Sequence, residues 1–366
     1  MVNNTYGVHA PEIKENKKVN YAILRKIVFL SLIIILILSI LGGLLYGASN
    51  VSLFDFLYVM LTQNFSVSSR TRDYLVLIDI RLPRIILGLL VGSSLAVSGV
   101  LMQGLFRNPL ADPGIVGVSA GAGLGAVLAI VVGIAFPASL APFLELYNVI
   151  IGAFLGGLLS TIILYTIATH HSFTSIAIML LAGIALGALS SAVVGILIFI
   201  ANDQQLRDIT FWSLGSLAGA TWSKIWLILP FISIGLLFSP LLSQALNAFA
   251  LGETVAGHIG FHIQQIKKIA IFLVALMCGS AVAVSGGIGF IGIVVPHILR
   301  QLIGPDHHYL IPYSALLGAA LLIFADTFAR LIVSPAELPI GIVTALFGAP
   351  FFLWILICKR GTNFYD

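Results

Sequence analysis

Asp326 and Arg330 stand four positions apart inside a long apolar run, "LLGAALLIFADTFARLIV" (316–333). On a helix, that spacing puts the carboxylate and the guanidinium on one face within reach of each other. Two chemistries are open to such a pair. A carboxylate at membrane depth is what proton- or ion-coupled carriers use; a neutralised pair that only holds the outer end of its helix is the other. Of the fourteen acidic residues, Asp326 alone lies well inside an apolar run, so no Asp/Glu/His chain crosses the sequence's apolar core. The histidines (His170-His171, His297 after Pro296, His307-His308) show no H-E-x-x-H or other metal-ligand spacing. Cys278 and Cys358 both fall in apolar runs, where packing is the expected role. No G-x-x-x-x-G-K-[ST] phosphate loop is present, and no Lys follows a Gly anywhere, so the chain does not hold ATP in that way. The residues thus point to no catalytic group, no metal set and no cofactor of the chain's own.

The elements that would position these residues are membrane helices. Hydrophobic residues make up 59% of the 366, against about 45–50% in soluble domains. Charged residues make up 9%, where about 25% is usual. Apolar runs long enough to cross the bilayer recur at 27–47, 82–106, 114–135, 146–169, 175–200, 224–240, 264–285, 288–304, 309–333 and 338–358. The expected fold is all-α and polytopic, with about ten spans in one domain over 27–358, between a basic tail (1–26) and a short tail (359–366). The first run has 21 apolar or small residues, longer than the roughly 7–15 of a signal peptide, so an uncleaved span is expected. Ten spans put both termini on one side. Eleven Lys and Arg fall on that side and seven on the other, which favours cytoplasmic termini. The pI near 9.1 reflects this loop charge; no basic soluble domain exists to bind nucleic acid.

Between the spans, "RNPLADPG" (107–114) and "SGGIGF" (285–290) are dominated by Gly and Pro. Non-helical backbone in lipid must be covered by protein or line a wet cavity, so packed, inward-facing turns or broken helices are expected there. "GSSLAVSG" (92–99) is echoed by "GSAVAVSG" (279–286), with Pro109/Pro296 and Gly117/Gly304 at the same offset. Such copies on spans two and seven would have opposite orientation, as in the inverted repeats of transporters. "LGETVAGHIG" (251–260) is a short helix within the connection 241–263, with Leu251, Val255 and Ile259 spaced at four and Glu253 and His258 on the other side. Its glutamate reads as a rim charge that contributes little.

These motifs resemble the FecCD-type permeases, the membrane subunits of type II ABC importers for ferric siderophores, haem and cobalamin. The resemblance rests on "RLPR" (81–84), "SGVLMQGLFRNPLADPGIVGVSAGAG" (98–123), "FWSLGSLAGATW" (211–222), "LGETVAGHIG", "GGIGFIGIVVPHILR" (286–300), "GPDHHYLIP" (304–312) and "AELPIGIVTALFGAPFFLWIL" (336–356). It implies a homodimer in the lipid bilayer, two copies of a cytoplasmic ABC ATPase that carries the ATP, and an extracytoplasmic binding protein. Leu251, Gly252, Glu253, Ala256 and Gly260 match the segment that couples to the ATPase. Arg81, Arg84 and Arg330 match arginines that receive the binding protein's acidic residues. The fifth span, with Ala182, Gly183, Gly187, Ser190, Ser191 and Gly195, would line the pathway by this likeness; close helix packing is the rival use of such small residues. Haem is the first expectation for cargo, then a ferric siderophore, with cobalamin as the alternative. An ion-coupled secondary carrier is the reading from another class, and it predicts transport without an ATPase.

Overall fold

The computed structural model describes residues 21–47, 52, 61–62, 68–133, 147–170, 173–333 and 336–360. Most of both expected tails, His171 and the end of the third expected span lie outside these residues. In chain order the helices are α1 (Tyr21–Leu45), α2 (Ser68–Leu75), α3 (Leu82–Phe106), α4 (Val118–Val131), α5 (Asn148–Ala168), α6 (Ile176–Ile200), α7 (Asp203–Ser213), α8 (Trp222–Phe238), α9 (Ser243–Ala250), α10 (Glu253–His258), α11 (Ile263–Ser285), α12 (Ile291–Ile303), α13 (His307–Ile332) and α14 (Ile340–Arg360). A π-helical stretch, Val76–Arg81, runs from α2 directly into α3. Two-residue strands β1 (Thr169–His170) and β2 (Phe173–Thr174) pair antiparallel at the turn between α5 and α6.

Each of the ten expected spans coincides with a helix. Seven helical stretches are long and apolar enough to cross a membrane, while α4, α12 and the apolar part of α14 (Ile340–Ile355) are shorter. Helix ends follow the local sequence. Ser175 caps α6, Asn202 and Gln205 form a reciprocal capping box on α7, and Asp306 accepts from the His308 N–H at the start of α13. Gly286, at φ 69°, ends α11 where other residues would be strained.

The axis of the bundle is α3, buried along almost its whole length. It packs on α13, α11, α12 and α8. No hydrophobic drive separates helix from lipid, so association rests on close backbone approach. Glycines supply it where α3 meets α13 (Gly92 on Gly318), where α3 meets α12 (Gly99 on Gly292) and where α4 meets α5 (Gly125 on Gly152). The repeated octapeptides sit on α3 and α11. These two helices run antiparallel, because the start of α3 (Gly88) and the end of α11 (Ser285) both meet the segment Ser216–Leu217. Ser94 Oγ donates to Met277 O across their contact, at 3.1 Å.

The Gly/Pro connections turn inward, as expected. Pro113 packs against Gly292, and the Gln103 side chain donates to Gly292 O at 3.0 Å. Both α4 and α12 therefore begin inside the bundle. With 14 and 13 residues they span only about 20 Å at about 1.5 Å per residue, short of the roughly 30 Å of hydrocarbon. Protein covers the backbone that remains. Arg25, near the start of α1, bonds Ile303 O and lies 3.9 Å from Asp306 between α12 and α13. Asp306 in turn accepts from Asn247 of α9, so α1 begins at the end of the bundle that carries α9 and α10.

A methyl group at Gly99 would lie 1.9 Å from Gly292 O, whereas Gly187 on α6 has open space around it. Gly99→Ala should destabilise the purified protein by at least about 1–3 kcal/mol, the usual cost of overpacking. Gly187→Ala should stay within about 0.5 kcal/mol of wild type. Thermal unfolding in detergent distinguishes the two; equal melting would refute the close crossing.

Candidate functional site

Three surfaces carry the residues singled out by sequence: the end of the bundle that holds α9 and α10, the far end, and the flank formed by α6. At the far end the π-helical stretch aims Arg81 at the end of α1. The first turn of α3 supplies Arg84, and the last turns of α13 supply Asp326 and Arg330. Arg84 grips Asp326 with two nitrogens, Nε at 2.9–3.0 Å from the two carboxylate oxygens and Nη2 at 2.9 Å from Oδ1. Its remaining nitrogen, Nη1, donates to both oxygens of Glu337 at 2.9 and 3.0 Å. Arg330 Nε lies 3.2 Å from Asp326 Oδ2, close enough for charge attraction but not aligned as a hydrogen bond. Arg330 Nη2 reaches Gly43 O and Thr327 Oγ1. Arg81 Nη1 donates to the Leu44 and Leu45 carbonyls that close α1.

The local Asp326–Arg330 pair read from sequence is therefore real, but it is half of a larger cluster. The resemblance matches Arg81, Arg84 and Arg330 to docking arginines; within this chain all three are buried, and each bonds to other groups of the same chain. The physical reason is that a guanidinium near hydrocarbon must be matched inside the protein. Glu337 is the one partly open member, its side chain 41% exposed. Sequence reasoning missed it because 253 positions separate it from Arg84; its only local mark was a place in the motif "AELP".

At the other end, α10 is a short helix between Gly252 (φ 110°) and Gly260 (φ 104°), both in backbone that other residues rarely adopt. Leu251, Val255 and Ile259 are exposed and form an apolar row facing away from the bundle. Ala256 is fully buried, so it seats α10 against the chain and does not face outward. Glu253 is not a rim charge. Its Oε2 lies 2.8 Å from Nζ of Lys267, which is 1% exposed. By sequence Lys267 counted as loop charge; the fold buries it at the start of α11.

On the flank, α6 buries only Met179, Ser190 and Leu197 of its 25 residues. Ser191 and Gly195 are exposed, Ala182, Gly183 and Gly187 half-exposed, and Gly187 and Gly195 have nothing near the position of a Cβ. Ser190, expected beside them on the pathway, faces inward instead. The glycines of α3 and α5, and Gly121 and Gly125 of α4, are consumed by packing, while Gly187 and Gly195 of α6 are not. Of the histidines, His297 is buried with Nε2 3.0 Å from the Gln301 amide, and His307 Nδ1 meets Asn247 Oδ1 at 2.7 Å, so both serve packing contacts. Gly117-Val118-Ser119-Ala120-Gly121 spells a G-x-S-x-G pattern. It opens α4 after a 3-10 turn, not after a strand, so it lacks the strand–turn–helix setting of a nucleophile elbow.

Removing Asp326 would strand two buried guanidiniums. Asp326→Asn should cost about 3–5 kcal/mol, the usual result of breaking a buried pair from one side. Glu337→Gln should cost under about 1 kcal/mol, since its side chain is partly in water. Melting temperatures of the purified variants test this; similar losses for both would show that the cluster is not centred on Asp326.

The sequence profile of the FecCD transport family matches residues 32–358. The haemin transport system permease protein HmuU of Yersinia pestis is 45% identical over 333 residues, 90% of this chain and 95% of that protein. The vitamin B12 import system permease protein BtuC of Klebsiella pneumoniae is 42% identical over 283 residues, 77% of this chain and 82% of that protein. Among solved structures, a metal-chelate type ABC transporter in an inward-facing conformation superposes with a TM-score of 0.78 at 33% identity, covering 91% of this chain and 99% of the other. The chain belongs to the FecCD transport family, as a multi-pass membrane permease of the ABC-importer class.

Proposed function

We propose that the chain is the membrane subunit of an ATP-driven importer of an iron chelate, with haem as cargo, working by alternating access between two copies of itself. The observation that carries the cargo reading is the 45% identity to a haemin permease across almost the full length of both chains. A ferric siderophore is the next candidate cargo, and cobalamin is the second reading, favoured by relatives at 40–42% identity that are named vitamin B12 permeases. The ATP is bound and hydrolysed by a separate cytoplasmic subunit, two copies per dimer. A binding protein delivers cargo on the opposite, extracytoplasmic face.

In this reading the α9–α10 end and both termini face the cytoplasm of a bacterial inner membrane. The apolar row Leu251, Val255 and Ile259, with Gly252 and Gly260 allowing the chain to turn, is the surface that enters the ATPase groove. At the far end, Arg81, Arg84 and Arg330 are the docking arginines, with partner carboxylates taking the place of Glu337 on Arg84. Arg–carboxylate pairing supplies both charge and a fixed geometry for such an exchange. The α6 flank, with Gly183, Gly187 and Ser191, faces the second copy, and bulky cargo passes where small residues leave room.

Two outcomes check this. In a strain lacking the chain, restoring it with its ATPase and binding protein should restore uptake of haem, and not of a hydroxamate chelate or cobalamin; restored cobalamin uptake alone would move the assignment to the second reading. Leu251→Glu combined with Ile259→Glu should weaken co-purification with the ATPase by about 2 kcal/mol, as loss of an interface anchor does. Arg81→Glu should release the binding protein instead. Unchanged association in either variant would remove that face from the docking scheme.

A further inference from the structure

Lys267 lies in the second turn of α11, a helix almost wholly inside the bundle. Its ammonium group has three donors and no route to water, so its contacts define its role. One contact is Glu253 Oε2 of α10, at 2.8 Å. Another is the backbone carbonyl of Thr174, at 3.0 Å. The third is the face of Phe173, whose ring centre is 5.4 Å away. Phe173 and Thr174 form β2, and Ser175 then caps α6. The same strand is held a second time from α11, because Thr174 N donates to Gln264 Oε1 at 2.9 Å. It is also closed on itself, through the Thr169–Thr174 pair and the 2.9 Å contact between their hydroxyls.

One buried ammonium group thus ties together α10, the root of α6 and the core helix α11. Among the described residues, the Glu253–Lys267 contact is the only side-chain hydrogen bond or ion pair that α10 makes. Its other attachments are packing of the buried Ala256 and of Gly257 near Ile263, contact with α9, and the two glycine joints at Gly252 and Gly260. A six-residue helix on two such joints can tilt as a unit. It cannot leave Lys267 without taking the carboxylate from a buried charge, a cost that exposed ion pairs do not carry. Motion of α10 therefore drags the ammonium group, and the ammonium group is bonded to the first residues before α6.

We propose that Lys267 is the positioning residue that transmits displacement of α10 to the base of α6, making the β1–β2 turn the second half of the coupling device. This rests on the reading that α10 receives the ATPase. It goes beyond that reading by placing the output of the coupling helix on one side chain and one target, α6, which exposes most of its surface outside the bundle.

The test separates the link from the docking. With Thr254→Cys and Ile178→Cys carrying spin labels, both positions being exposed and neither in the apolar row of α10, pulsed electron paramagnetic resonance reads the α10–α6 distance in the permease alone. Lys267→Met should broaden that distribution whatever binds α10; an unchanged distribution overturns the proposal. In the complete importer, Lys267→Met should still co-purify with the ATPase, while cargo uptake per ATP hydrolysed falls on the order of tenfold, within the range typical of coupling between sites. Nucleotide should then change the α10–α6 distance more than in the wild type, because α10 moves without α6. Uptake per ATP at the wild-type level, with that distance responding to nucleotide as in the wild type, overturns the proposal. Should Lys267→Met not fold, Glu253→Ala replaces it, since Glu253 is partly exposed and its removal leaves Lys267 the Thr174 carbonyl and the Phe173 ring; the same broadening is expected, in smaller degree, and its absence overturns the link. Failure of the docking reading shows separately, as ATPase association insensitive to Leu251→Glu and Ile259→Glu.

Discussion

A guanidinium or a bare carbonyl that enters hydrocarbon loses water as a partner, and every such group must be matched by the protein itself. The arrangement around α3 follows from this. At its first turn Arg84 is closed off by Asp326 and Glu337, one from α13 and one from the segment before α14. Toward its other end Gln103 covers Gly292 O, the carbonyl exposed where α12 begins partway through the bundle, and also receives a bond from Arg300. Between these two polar closures α3 is smooth, and glycine lets α13 and α12 come to backbone contact. The neighbours of α3 are thus fixed twice, by shape along its length and by charge at its ends.

The same constraint sorts the charged residues of the whole chain. Lys267 and Arg84 are both almost inaccessible, and each has a carboxylate partner that keeps some contact with water: Glu253 is 23% exposed and Glu337 41%. Each pair therefore has one rigid and one adjustable member. That asymmetry suits the docking proposed for the two ends, which would exchange contacts there while the centre stays intact. Asp326 is the exception, enclosed with Arg84 and Arg330, and it belongs to the fixed part.

How much of this was legible in the sequence depended on distance along the chain. The ten apolar runs marked the helices because hydrophobic length is a local property, and the Asp326–Arg330 pair was readable because helical spacing is local too. The Gly/Pro segments around Pro113 and Gly287 announced inward turns, since lipid tolerates such backbone only under cover. Glu337 and Lys267 were misjudged for one reason: each finds its partner across the fold, so each looked like ordinary loop charge. Ala256 and Ser190 were assigned to working surfaces through the family resemblance, and within this chain tertiary packing buries both. The uneven use of glycine, closely packed in α3 and α5 and open at Gly187 and Gly195 of α6, was invisible as well, because composition does not say what a glycine faces.

The far-end cluster also has a consequence for how the chain is made. Arg84 emerges from the ribosome 242 residues before Asp326, and at about 5–20 residues per second it waits roughly 12–50 s for its counter-ion. During that interval α3 is a span with an unmatched charge in its first turn. Its place at the end of the helix, not the middle, lets the side chain reach toward the headgroups while it waits. The helix that becomes the axis of the finished bundle therefore enters the bilayer as a provisional span, and its burial is completed only when α13 is inserted beside it.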